Sequence, residues 1–67
     1  MSRYTVVIKN RFADEQTVAR IKTYYDNEHK IGFSAKELAE SKAEALNELI
    51  DNDIYFADVE VEETDEN

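Results

Sequence analysis

Sixty-seven residues with no cysteine, no proline and a single glycine make one small domain, whose core neither disulfides nor a Cys/His zinc site can supplement. A formal charge of −8 repels phosphate backbones at long range and argues against direct nucleic-acid binding. The longest apolar run, Val6-Val7-Ile8, is far too short to span a bilayer.

Chain order then gives the elements. Met1 to Tyr4 lead straight into a strand-like segment without a signal-peptide h-region, the expectation for a cytoplasmic protein. Arg3 to Lys9 is β-branched and aromatic, with Tyr4, Val6 and Ile8 on one face and Val7 on the other, which places it centrally in a sheet. Asn10 to Glu15 reads as a turn. Thr17 to Tyr25 reads as a second strand, with Ala19, Ile21 and Tyr25 facing inward and Arg20 and Lys22 outward. The short connection implies an antiparallel hairpin. Asp26 to Lys30 is a polar loop, and His29 within it, flanked by Glu28 and Lys30, reads as a solvated residue rather than a catalytic one.

From Ser34 the composition changes to Ala, Leu, Glu and Lys, all strong helix formers. Ser34 with Glu37 fits a capping box, and Phe33 with Leu38 a hydrophobic staple. At helical spacing Leu38, Ala45, Leu49, Ala35, Leu46, Ala39 and Ile50 form one apolar arc. Lys42 falls near its middle, so either its stem passes the core or the helix begins later, with Ser41 as N-cap. Both versions put Leu46, Leu49 and Ile50 in the core. Asn52-Asp53 ends the helix, and Tyr55 to Glu62 alternates, with Tyr55, Ala57, Val59 and Val61 inward and Asp58, Glu60 and Glu62 outward. The fold class is therefore α+β: a three-stranded antiparallel sheet in the order β-β-α-β, one helix on one face, and the last strand beside the first. The domain spans 1–62, and 63–67 reads as an acidic disordered tail.

No nucleophile, acid/base pair or metal-ligand spacing stands out among these residues, so an enzyme is not expected, nor a cofactor. Asp51-Asn52-Asp53 lacks the glycine and distant glutamate of an EF-hand loop. The sorting of charge is more informative. Residues 1–33 hold six basic and four acidic side chains, a net of +2, whereas residues 34–67 hold two basic and twelve acidic, a net of −10. Glu37, Glu40, Glu44, Glu48 and Asp51 fall within roughly 80° of one another on a helical wheel. Asp58, Glu60 and Glu62 add a row on the last strand, which Arg20, Lys22 and Lys9 partly neutralise as cross-strand neighbours. Lys9, Arg11, Arg20, Lys22, Phe12 and Tyr24 could otherwise gather as a base-stacking sheet face, but the acidic row shares that face. Such an array of carboxylates exceeds what solubility needs and can imitate the charge of a nucleic-acid backbone.

The run Leu38 to Leu46, within which Ala39 to Leu46 reads A-E-S-x-x-E-A-L, followed by Asp58-Val59-Glu60-Val61, resembles small phage-encoded host-takeover proteins of β-β-α-β type. Among these, the RNA polymerase inhibitor of T7-like phages is most similar over Ala39 to Leu46, and Dmd-like antitoxins are similar at Val6-Val7, Phe12 and Ala45-Leu46 to Ile50-Asp51. Several anti-CRISPR proteins are similar in size and element order. The resemblance implies a non-enzymatic inhibitor in the host cytoplasm, monomeric or weakly dimeric. Its partner would be a host protein with a basic nucleic-acid-binding surface: an RNA polymerase, a CRISPR effector or a nuclease. The expected partner-binding residues are Glu37, Glu40, Glu44, Glu48, Asp51, Asp58, Glu60 and Glu62. Two alternatives remain open: an antitoxin-like or regulatory module binding through apolar surface such as Phe12, Tyr24 or Phe56, and a small accessory protein oligomerising through an open sheet edge.

Overall fold

A computed structural model of the chain describes residues 2–26 and 32–63. The elements run β1 (Ser2–Asn10), β2 (Gln16–Tyr25), α1 (Ala35–Leu49) and β3 (Tyr55–Glu63). The sheet is antiparallel throughout in the order β2-β1-β3, so the most apolar strand is central, as the sequence leads one to expect. Among the described residues no helix is long and apolar enough to cross a membrane. His29 and the polar loop around it lie outside the described residues. So do residues 64–67 of the expected tail, while β3 itself continues through Glu63, whose Oε1 accepts from Ser2 Oγ at 2.8 Å.

β1 and β2 are joined by Arg11 to Glu15. Asn10 Oδ1 accepts from the Phe12 amide at 2.9 Å, and the Gln16 amide donates to the Ala13 carbonyl at 3.0 Å. Closing this loop puts Asp14 (φ 51°) and Glu15 (φ 53°) in the left-handed region, which costs an L-residue roughly 1–2 kcal/mol.

β2 departs from strict alternation. Its register against β1 shifts between Val6 and Val7 and again between Ile8 and Lys9, and each β-bulge inserts one unpaired residue and resets which face follows. Tyr24 therefore packs on the core, whereas Ile21 and Tyr25, expected inside, are 46% and 38% exposed. Ala19 pairs with Ile8 on the helix side, the face expected for it, but is exposed. Lys22, expected outward among the acids, pairs with Val6 on the helix side, its Nζ 5.2 Å from the Tyr24 ring centroid. The residue added at Ile21 explains the reversals from Lys22 to Tyr25.

The helix begins at Ser34, not Ser41. Ser34 Oγ accepts from the Glu37 amide at 3.2 Å and Glu37 Oε1 accepts from the Ser34 amide at 3.1 Å, completing the capping box. Ala35, Ala39 and Ala43 form its buried seam, continued by Leu46 and Ile50 against Val6, Ala57, Tyr4, Ile8, Tyr24 and Val59. The seam is rotated from the arc of largest apolar side chains. Lys42 and Ala45 are exposed, Leu38 is half-buried and Leu49 is 78% exposed, so Leu49 is not a core residue. Small side chains let the helix backbone approach the sheet, and a specific polar contact fixes its rotation. Asn47 Nδ2 donates to the Ala57 carbonyl at 3.1 Å, and Asn47 Oδ1 accepts from the Ala57 amide at 2.8 Å. Turning Leu38 and Leu49 into the sheet would break both bonds.

Those two bonds also say which way β3 points. An antiparallel residue directs its N–H and C=O to the same side, so Ala57, and with it Tyr55 and Val59, presents its polar backbone to the free edge. The Tyr55 amide donates to Asn52 Oδ1 at 2.9 Å and the Val59 amide to Asp58 Oδ1 at 2.8 Å. Three successive edge amides are thus occupied by side chains, which blunts this edge as a template for strand addition. The opposite edge, β2, carries both bulges, another device against edge pairing.

Candidate functional site

The expected site residues separate into two groups once the register is known. Asp58, Glu60 and Glu62 pair with Val7, Thr5 and Arg3 across β1 on the sheet face opposite the helix. There Arg3 Nη2 lies 2.9 Å from Glu62, Lys9 Nζ 3.1 Å from Asp58 and 4.0 Å from Glu60, and Arg20 Nη1 4.0 Å from Glu62. Thr17 Oγ1 donates to Glu60 Oε2 at 2.9 Å, and Thr5 and Thr23 share a hydroxyl bond at 2.9 Å. Three acids meet three bases, so this face is locally balanced. Its long stems also explain why Val7, on a face without a helix, is 0% exposed. Partly exposed ion pairs of this kind contribute little individually, about 0–1 kcal/mol, but they leave these carboxylates committed within the molecule. Arg3 was not singled out from the sequence; only the β1–β3 register reveals its role.

The helical row differs. Glu37 is engaged in the capping box. Glu40, Glu44, Glu48 and Asp51 are exposed and form no ion pair among the described residues. Glu40, Glu44 and Glu48 recur at four-residue spacing, which sets successive carboxylates about 6 Å apart along the axis and within the range of mutual repulsion. Fourfold spacing with one sign of charge weakens the isolated helix slightly and concentrates negative potential along one side.

Between this side of α1 and β3 runs a groove of about 430 Å³. Glu40 and Glu44 stand on its helix wall, with Lys36 one turn before them. Ala43, Ala57, Val59 and the Tyr4 side chain give it an apolar interior, and the 56% exposed Val61 forms part of its strand wall. The groove exists because Ala43 and Ala57 are small where the two elements meet, a consequence of the alanine seam that the sequence pattern did not bring out.

The basic and aromatic residues weighed as a base-stacking face are dispersed. Lys9 and Arg20 are paired with β3 acids, Lys22 lies over Tyr24, and Arg11 covers the Phe56 ring at 4.7 Å while its Nε donates to the Asp53 carbonyl at 3.2 Å. Of the aromatics considered for an apolar interface, Tyr24 packs on the core and Phe56 lies under Arg11, leaving Phe12 74% exposed. Among the described residues no group of three or more His, Cys, Asp or Glu side chains is arranged to hold a metal ion. No family model, no curated protein and no solved structure matches the chain.

Proposed function

We propose that this protein is a small non-enzymatic binder of phage-inhibitor type, which occupies the basic surface of a host nucleic-acid-handling protein with the acidic side of α1. The observation that carries this reading is the contrast between the two acidic rows. The β3 carboxylates are neutralised by Arg3, Lys9 and Arg20, whereas Glu40, Glu44, Glu48 and Asp51 are exposed and form no ion pair among the described residues. Carboxylates at regular spacing on a helix complement cationic side chains laid out to follow phosphates, and favour fast, salt-sensitive association.

The test uses capture from a bacterial lysate by the immobilised protein and by its Glu40→Lys/Glu44→Lys form. Both positions are exposed, so the fold is retained, as far-UV circular dichroism checks. A partner released by moderate salt, displaced by added duplex DNA or RNA, and lost with the double substitution agrees with the proposal. Capture that is indifferent to the double substitution removes the acidic row from the mechanism.

A second reading has one observation in its favour. The exposed apolar side chains Leu49 and Phe33, 78% and 56% exposed, together with half-buried Leu38, suit a regulatory module that binds through apolar contacts. Its affinity would be nearly independent of salt, and Leu49→Gln would weaken it where Glu40→Lys would not.

A further inference from the structure

We infer that the groove between α1 and β3 is a receptor for one arginine side chain of the partner protein. The inference rests on the acidic-helix reading above and goes beyond it by naming a subsite and its ligand.

Three features of the groove select this occupant. Its walls carry Glu40 and Glu44, one turn apart on α1 and without ion pairs among the described residues. Its interior is mainly apolar, with Ala43, Ala57 and Val59 beside Asn47 and with Val61 on the strand wall, which suits a stem of methylenes better than a small hydrated cation. Tyr4 lines the same space, offering a ring to a guanidinium plane. A guanidinium is planar, weakly hydrated and able to donate to two carboxylates at once, whereas an ammonium is a compact, strongly hydrated point charge. Asp58 also borders the groove, but its carboxylate is engaged by Lys9 and by the Val59 amide, so the vacant acceptors are Glu40 and Glu44. At one end Lys36 repels an incoming cation. Another cavity among the described residues, about 280 Å³ beside Ile50, Asn52 and Tyr55, offers no such site, because Arg11 already borders it and is held by Phe56 and the Asp53 carbonyl.

The experiment is a titration of the labelled full chain with the capped tripeptide acetyl-Gly-Arg-Gly-amide at low salt, followed by ¹H–¹⁵N spectra, with the Lys counterpart alongside. The expected result is saturable shifts of the Ala43, Asn47 and Val59 amides, with the arginine peptide binding more tightly than the lysine one. Glu40→Gln/Glu44→Gln weakens binding about tenfold, the effect of losing two exposed charge pairs. Glu48→Gln/Asp51→Asn, removing equal charge outside the groove, changes it by less than about twofold. Val61→Ser, neutral and exposed, weakens it by removing part of the apolar wall, and Lys36→Ala tightens it. Equal loss from the two charge-removing pairs, with Arg and Lys peptides indistinguishable and Val61→Ser silent, overturns the groove and leaves a diffuse acidic surface standing. No shift with either peptide at low salt overturns the groove and the acidic-helix reading together.

Discussion

Replacing Asn47 by alanine sets two physical effects against each other with opposite sign. Alanine is the better helix former by about 0.6 kcal/mol, so a helix governed by propensity would gain stability. The structure demands the reverse. The side chain makes two hydrogen bonds to the backbone of Ala57, at 2.8 and 3.1 Å, and Ala57 is only 5% exposed. Water therefore replaces the lost partners poorly. Two bonds at about 1 kcal/mol each, plus part of the penalty for leaving a buried amide and carbonyl unpaired, give a loss of about 2–3 kcal/mol. After the propensity gain the net loss is about 2 kcal/mol, which in a domain of this size lowers Tm by roughly 10 °C. Thermal unfolding followed by circular dichroism reads this directly, with Glu48→Ala as a neighbouring helix control. Asn47→Asp retains the acceptor for the Ala57 amide but sets a carboxylate against the Ala57 carbonyl, so it should destabilise as well. An Asn47→Ala protein as stable as the parent, or more so, would refute the assignment of helix rotation to this contact.

Further outcomes are expected from the same geometry. Glu15→Gly relieves a left-handed glutamate (φ 53°) and should stabilise by about 0.5–1 kcal/mol, against the usual cost of introducing glycine; chemical denaturation measures it. Ser34→Ala removes the N-cap acceptor of the Glu37 amide and should cost about 1 kcal/mol in the same assay. Leu49→Gln, at a position 78% exposed, should leave stability within about 0.5 kcal/mol, whereas a core position would lose several times that. Lys9→Met leaves Asp58 and Glu60 without their shared cation; the Tm should fall by a few degrees and fall further at low salt, where the two carboxylates repel most.

Much of the architecture is legible in the residues themselves. The β-branched run at Val6 to Ile8 marks the central strand, Ser34 and Glu37 mark the helix start, and the alternation from Tyr55 to Glu62 marks a strand with one acidic face. Two kinds of information are not local. The bulge at Ile21 leaves no glycine or other punctuation behind, so a period-two reading of Ala19 to Tyr25 places Ala19 and Arg20 correctly but reverses the faces from Lys22 onward, although the strand itself is right. The rotation of α1 depends on Ala57 meeting Asn47 across ten residues of sequence, and a helical wheel weighted by side-chain size favours Leu38 and Leu49 over the alanines that are buried. The candidate site follows the same division. The acidic row of α1 is visible as a spacing, whereas the pairing of Arg3 and Lys9 with the β3 acids requires the strand register, and the groove requires knowing that Ala43 and Ala57 lie opposite one another.

The alanine seam has a consequence for how a partner would be detected. Apart from Val6 and Val7, the buried apolar residues among those described are Ala35, Ala39, Ala43 and Ala57, and an alanine removes far less apolar surface from water than a leucine or phenylalanine in the same place. Folding therefore rests on a small margin, and any molecule that binds only the folded chain adds RT ln(1 + [L]/Kd) to it, about 2.7 kcal/mol at a hundredfold excess over Kd. For so short a chain that is a rise in Tm of roughly 10–20 °C. Resistance to heat or to protease thus becomes a label-free report of occupancy, by which fractions of a host extract can be ranked before any partner is purified.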